Sequence, residues 1–222
     1  MLRWGQISDE IMAYCDLKED PMFSKIANKD IYIRGSVAIA NKVASLYENK
    51  DLVGILRQHH VQINYHEDSK ANDMLFSQIQ SQIYYEKNRK IIDIFLPCII
   101  EKIDALQAYG YEISLEELLK LHIAHEFYHF YEYEYNSRTY ELLPKVDYRM
   151  LHVIHRKASV HRSSEIAAHR FAQVITKAQL HPKLMDYLYL IKKETYQENE
   201  VCEIISNIAE TLQGDAQKAA QK

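Results

Sequence analysis

The sequence predicts an α+β fold in which a small β-sheet precedes a buried helix carrying two histidines, with further helices after it. Three short segments between positions 61 and 96 carry the strand signal, because the first two alternate apolar and polar residues and the third is a nearly continuous apolar run. The flanking segments repeat apolar residues at helical spacing. With 222 residues and 47% hydrophobic content, the chain can bury a substantial core.

The segment before the sheet is predicted to be helical. We expect a short helix over 8–16, a longer helix that begins at Ser36 as its N-cap, and a third helix over 51–56. Their apolar faces suit a supporting scaffold.

The expected strands come next, with the polar stretch EKNRK as the turn between the last two; they are 61–65, 79–85 and 90–96. A helix should follow from Pro97, which suits a first helical turn, to Gly110, which suits a helix end.

A capping box predicts the start of the central helix. Ser114 is a good N-cap and Glu117 stands three residues later, so the helix should begin at Leu115. Its apolar residues form a surface too wide for a solvent-facing helix; they are Leu118, Leu119, Leu121, Ile123, Ala124, Phe127 and Phe130. Histidines on such a helix are mostly buried, where an unpartnered imidazole is costly.

This helix contains the pentapeptide HEFYH. His125 and His129 are four residues apart, so both rings lie on one face and can bind one metal ion. Glu126 would lie beside that ion, where it could deprotonate a water molecule. The pattern is the HExxH arrangement of zinc metallopeptidases, in which the Glu is the general base.

A catalytic zinc site needs a third protein ligand and leaves one position for water. Downstream, SSEIAAHRFAQVI predicts another buried helix with Ser163 or Ser164 as its N-cap. Its Glu165 follows His129 by 36 positions, which is far enough for the chain to turn and return. Glu165 is therefore the candidate third ligand.

With these residues the sequence resembles the gluzincins, in which HExxH supplies two ligands and a Glu on a later helix supplies the third. More narrowly, ExxAHRFA is similar to the ExxANxFA pattern of the ImmA/IrrE family of intracellular metallopeptidases. The motifs that carry the resemblance span positions 118–174. The chain departs from that family at Tyr128, where the family usually has Gly, and at QVIT, where it usually has an LLxP-like sequence.

The resemblance implies a zincin-like fold and a zinc-dependent metalloendopeptidase that acts on a protein or peptide. An implied substrate is a protein regulator, such as a helix-turn-helix transcriptional repressor cleaved at one site. We expect an N-terminal helical part over 1–60, the zincin core with sheet and metal site over 61–178, and C-terminal helices and tail over 179–222, together forming one compact domain.

Several residues are candidates for supporting roles. His169 lies four positions after Glu165 on the same helix face, so it could orient a ligand, or it could become a fourth ligand and close the site. The oxyanion of the tetrahedral intermediate could be stabilised by one of several further side chains: Tyr128, Tyr148, His152, His155 or His161. For any single one, a surface or core role is the simpler interpretation.

Two other classes remain open. A catalytically inactive, zincin-fold metal-binding regulatory protein would bind zinc without peptidase activity. A di-iron bundle would use Glu126 and His129 as one ExxH, but it needs a second ExxH, and Glu165 and His169 are one residue too far apart for that.

The composition limits the kinds of partner and the cellular location that we expect for this protein. A net charge of −4 and a pI near 6.3 argue against nucleic-acid binding by phosphate neutralisation. Three widely spaced Cys give no disulfide framework, which suits a reduced, cytoplasmic protein. The start lacks the apolar core of a signal peptide, and no apolar run reaches about 18 residues, so we expect no membrane association.

The C-terminal third is predicted to be helical. One helix should open at His181-Pro182, and another should run over 201–212 and stop at Gly214. The last eight residues should form a frayed tail.

Overall fold

The computed structural model describes residues 4–67, 79–86, 89–150 and 154–220. Its first half contains, in chain order, α1 Asp9–Lys18, α2 Asp30–Tyr47, α3 Leu52–Gln58, β1 Val61–His66, β2 Ser81–Glu86, β3 Arg89–Phe95 and α4 Leu96–Ala108. The second half contains α5 Leu115–Glu134, α6 Thr139–Leu142, β4 Val146–Met150, β5 Ile154–Ala158, α7 Arg162–Thr176, α8 Pro182–Lys192 and α9 Glu198–Ala220. The α+β class is confirmed.

The three predicted strands form one mixed sheet in the order β1-β3-β2. β3 is central, parallel to β1 and antiparallel to β2, with Ile63 and Ile83 both opposite Ile92. Part of the predicted EKNRK turn, positions 87 and 88, lies outside the described residues. The sheet precedes α5 in the chain, and β2 lies against that helix.

The start of α5 agrees with the predicted capping box. The Ser114 hydroxyl accepts a hydrogen bond from the Glu117 backbone N–H at 3.2 Å, and the Glu117 carboxylate accepts one from the Ser114 backbone N–H at 2.9 Å. α4 also has its predicted limits, since it contains Pro97 in its first turn and is followed by Gly110 with φ +82.

The prediction that Ser36 caps a helix was wrong. α2 already begins at Asp30, so Ser36 lies buried inside it. The preceding Gly35 does not mark a break but permits close packing, because a Cβ atom there would lie 2.6 Å from the Leu143 side chain. Long-range packing, not local helix-starting chemistry, accounts for this glycine.

Two helix ends in the C-terminal half also differ from prediction. α7 begins at Arg162, so Ser163 and Ser164 lie in its first turn and His161 occupies the N-cap position. α9 continues through Gly214 to Ala220. A helical Gly costs only about 1 kcal/mol relative to Ala, and the Ala-, Gln- and Lys-rich residues that follow are good helix formers.

The segment 145–162, in which no element could be predicted, contains an antiparallel pair of strands, β4 and β5. Of the side chains described in these two strands, only Val146 is buried. The pair leads directly into α7.

The core joins α5 to α7 and α7 to α2. The rings of Phe127 and Phe171 stack with their centroids 5.8 Å apart, and Tyr47 from α2 packs edge-on against both. This aromatic cluster fixes α5 and α7 side by side. None of the described helices combines the length and apolar composition that a membrane span requires.

Candidate metal centre

The structure brings three predicted ligands together. The Nε2 atoms of His125 and His129 on α5 are 3.2 Å apart, and each lies 3.5 Å from a carboxylate oxygen of Glu165 on α7. Among the described residues, these are the only His, Cys, Asp and Glu side chains grouped closely enough to hold one ion. The group depends on the packing of α5 against α7.

The spacing of these atoms fits a tetrahedral metal site. Zinc binds His nitrogen and carboxylate oxygen at about 2.0–2.2 Å, so two ligand atoms at tetrahedral angles lie about 3.4 Å apart. The two nitrogens are 3.2 Å apart, and each lies 3.5 Å from a different oxygen of the Glu165 carboxylate; both separations are close to this value. Two imidazoles and one carboxylate also form a donor set typical of catalytic zinc.

The charges of the cluster are complementary. Burial, together with the neighbouring His129, lowers the pKa of His125 to about 3, so its ring is neutral. Burial also disfavours the charged form of His129, but Glu165 outweighs it and raises the His129 pKa well above its usual value. The Glu165 carboxyl, in turn, has its pKa held well below the ordinary range by both histidines despite its burial.

Glu126 is buried beside this cluster and is held by β2. The Ser81 hydroxyl donates a hydrogen bond to Glu126 Oε1 at 2.6 Å, and Ser81 Oγ also lies 3.0 Å from His122 Nδ1. Because the hydroxyl proton goes to the carboxylate, His122 must be the donor in the second bond. Burial raises the pKa of Glu126, as a general base near neutral pH requires.

Glu132 is a site residue that the sequence analysis missed. Its Oε2 lies 3.3 Å from His129 Nδ1, while its Oε1 accepts hydrogen bonds from the Thr139 backbone N–H at 2.7 Å and the Ser164 hydroxyl at 2.8 Å. A carboxylate on the distal nitrogen fixes the orientation of a metal-binding imidazole. The signal was present, because a residue three positions after His129 lies on the same helix face.

His169 lies behind the cluster. Its ring centroid is 5.0 Å from that of His125, and its Nδ1 lies 2.7 Å from Asp16 Oδ2 on α1. Burial lowers the His169 pKa, but Asp16 more than offsets this and raises it. The Nδ1 atom of His169 is therefore hydrogen-bonded to a carboxylate of α1.

The residues predicted to stabilise an oxyanion lie in different parts of the structure. The Tyr128 hydroxyl is buried in the core, 2.7 Å from Thr139 Oγ1, and Tyr128 does not line the cleft above the metal cluster. His161 does line that cleft, and its ring packs 4.4 Å from the ring of Tyr140. Tyr148 is half-buried on β4 and His155 is exposed on β5, and neither lines the cleft; His152 lies outside the described residues.

The cleft has a volume of about 540 Å³. Its floor is α5, one wall is β2, and the other wall is formed by α6 and the start of α7. The metal cluster and Glu126 open into it together. In comparisons with protein-family models, curated proteins and solved structures, no significant match to this chain was found.

Proposed function

We propose that this protein is a zinc-dependent peptidase of the zincin type, with His125, His129 and Glu165 as zinc ligands and Glu126 as general base. The proposal rests on one observation: two imidazole nitrogens 3.2 Å apart, each 3.5 Å from an oxygen of one carboxylate, share a cleft with a buried glutamate. A site for structural zinc does not need such a glutamate, whereas hydrolysis does.

The chain's own residues have separate tasks in this mechanism. When bound, Zn²⁺ would supply a Lewis acid that polarises the scissile carbonyl and lowers the pKa of water. Glu126 accepts the proton of the attacking water and later delivers it to the leaving amine. Ser81 holds the Glu126 carboxylate in position throughout, and Glu132 orients His129.

The position of β2 favours a peptide as the substrate. Within the described part of the chain, this strand pairs only with β3, and its residues Ser81–Ile83 and Tyr85 line the cleft. An extended peptide can add to such an edge by β-augmentation, which would carry it across the metal cluster. A protein regulator, such as a transcriptional repressor, remains the substrate that the ImmA/IrrE resemblance implies.

The same substitution at two carboxylates of this cleft tests the proposal. Zinc per chain is measured by plasma mass spectrometry, and hydrolysis is measured on a peptide library. We expect about one zinc in the wild type, clear loss of zinc in Glu165→Gln, and full zinc in Glu126→Gln with hydrolysis reduced by roughly 10²–10⁴-fold. Each variant is the control for the other.

Three outcomes would contradict the proposal. Zinc retained fully in Glu165→Gln would exclude Glu165 as a ligand. Hydrolysis retained in Glu126→Gln would exclude it as the base. Stoichiometric zinc in a wild type that cleaves no peptide would favour the inactive metal-binding regulatory protein.

A further inference from the structure

One end of the cleft contains an unusual group of side chains. β2 runs alongside α5, since Ser81 is bonded to Glu126 and Tyr85 stacks on Tyr133, with ring centroids 3.6 Å apart. Arg138, just beyond the end of α5, lines the same end. Tyr133 follows Glu126 by seven positions, so this end lies on the order of 10 Å along the helix from the general base.

Among the described residues, two hydrogen-bond donors at this end have a weak partner or none. The Tyr85 hydroxyl oxygen is buried from water and has no hydrogen-bond partner among the residues that the structure describes. An isolated buried hydroxyl is costly, so such a group is usually satisfied by a ligand or an ordered water. Burial raises the pKa of Tyr85, so at neutral pH the hydroxyl stays a donor.

The second donor is the Arg138 guanidinium. In the described part of the chain its one ion-pair contact is with Glu141, at 3.5 Å, and both side chains are partly exposed. Such a pair contributes little. Arg138 and Tyr85 both line the cleft, so one ligand in the cleft can reach both donors.

The carboxylates inside the cleft are bonded to other groups. Glu132 accepts from Thr139 and Ser164, Glu126 accepts from Ser81, and Glu165 contacts the two metal-site histidines. Each carboxylate among the described residues of the cleft thus already has a partner other than Arg138. A planar guanidinium and a hydroxyl in the same cleft suit an incoming carboxylate, which Arg binds through two parallel hydrogen bonds.

We propose that Arg138 and Tyr85 form a substrate subsite for a carboxylate, with the half-exposed ring of Tyr133 as its apolar wall. The proposal rests on the peptidase function and names its substrate class. An extended peptide rises about 3.3 Å per residue, so the carboxylate lies two or three residues from the scissile bond. It can be an Asp or Glu side chain, or the C-terminal carboxylate of the substrate.

Binding to an inactive protein tests the subsite independently of catalysis. Zinc-loaded Glu126→Gln protein is titrated with labelled peptides that carry Glu or Gln at scanned positions, each as a free acid or an amide at the C-terminus. We expect the carboxylate form to bind roughly 10–100-fold more tightly at one position, as hydrogen bonds to charged groups predict. Preference for Glu identifies a side chain, and preference for the free acid identifies the C-terminus.

Further substitutions in the Glu126→Gln protein show which residues cause the preference for the carboxylate form of the peptide. Arg138→Gln should reduce it to within about threefold, and Tyr85→Phe should weaken carboxylate binding by about 3–10-fold. The matched control is Arg57→Gln on α3, an equal loss of charge outside the cleft, which should keep the full preference.

Three results would overturn the subsite: equal binding of both peptide forms, no binding of any peptide, or a preference that survives Arg138→Gln. A preference without any hydrolysis by the wild type would instead contradict the peptidase function and leave the subsite intact.

Discussion

Three side chains in and beside the candidate metal centre are held by polar groups from other parts of the chain. Ser81 on β2 holds Glu126, Asp16 on α1 holds His169 behind His125, and Thr139 and Ser164 hold Glu132 against His129. Such contacts remove the freedom of long side chains to leave the cleft. They explain why a buried site so rich in ionisable groups can keep one geometry.

Glu132→Gln should weaken zinc binding by roughly 10–100-fold, the usual effect of losing a carboxylate partner of a ligand histidine. If the amide oxygen keeps the bonds from Thr139 and Ser164, the amide NH₂ faces His129 Nδ1 and two donors meet. Zinc affinity is measured by competition with a chelating dye.

Ser164→Ala is the matched control for that prediction. It removes one hydrogen bond to Glu132 while leaving the carboxylate on His129, so zinc affinity should change far less. Equal affinity of Glu132→Gln and the wild type would show that Glu132 does not support the metal site.

At the scale of elements, the metal centre depends on α5 and α7. α5 begins at a complete capping box and carries three of the four proposed active residues on adjacent turns. α7 contributes Glu165 within its first turn, immediately after the β4–β5 pair. The Phe127–Phe171 stack then sets the distance between these helices.

Ser114→Ala should lower the free energy of unfolding by about 1 kcal/mol, because it removes the hydroxyl that caps the first turn of α5. For a chain of this size the Tm should fall by about 2–4 °C, measured by calorimetry. Zinc content should not change, since Ser114 lies about 16 Å along the helix from His125.

Ser45→Ala is the control for this loss of a hydroxyl. Ser45 is an exposed residue inside α2, where Ala is the better helix former, so stability should stay the same or rise slightly. A comparable loss in both variants would mean that the Ser114 cap contributes nothing specific.

At the scale of the whole molecule, a bound zinc would link α5 to α7 across the core. A ligand that binds only the folded state stabilises it by mass action, by about 2.7 kcal/mol at one hundred times its Kd. Removal of zinc with a chelator should therefore lower the Tm by roughly 5–10 °C under such conditions.

Glu165→Gln provides the control for the chelation experiment, because its Tm should respond much less to the chelator. The measurement is a thermal unfolding scan of both proteins with and without chelator. If the wild type releases its zinc without any change in Tm, the ion does not link the two helices in the folded state.

The features predictable from the sequence are those determined by near neighbours. The capping box of α5, the face shared by His125 and His129, and the limits of α4 each depend on residues within a few positions of one another, and the structure agrees with them. The strand pattern predicted the three strands but not their order in the sheet. Domain limits and biochemical function stay predictions.

Only the tertiary structure decided which distant groups meet. Glu165 lies 36 positions after His129, and Ser81 lies 45 before Glu126, so no local periodicity links them. The helix limits predicted at Ser36 and Gly214 were wrong, since Ser36 lies inside α2 and a long favourable helix continues through Gly214. The candidate ligands and the general base can be recognised from local sequence patterns. The distances between their side chains are determined by the packing of α5 against α7 and β2.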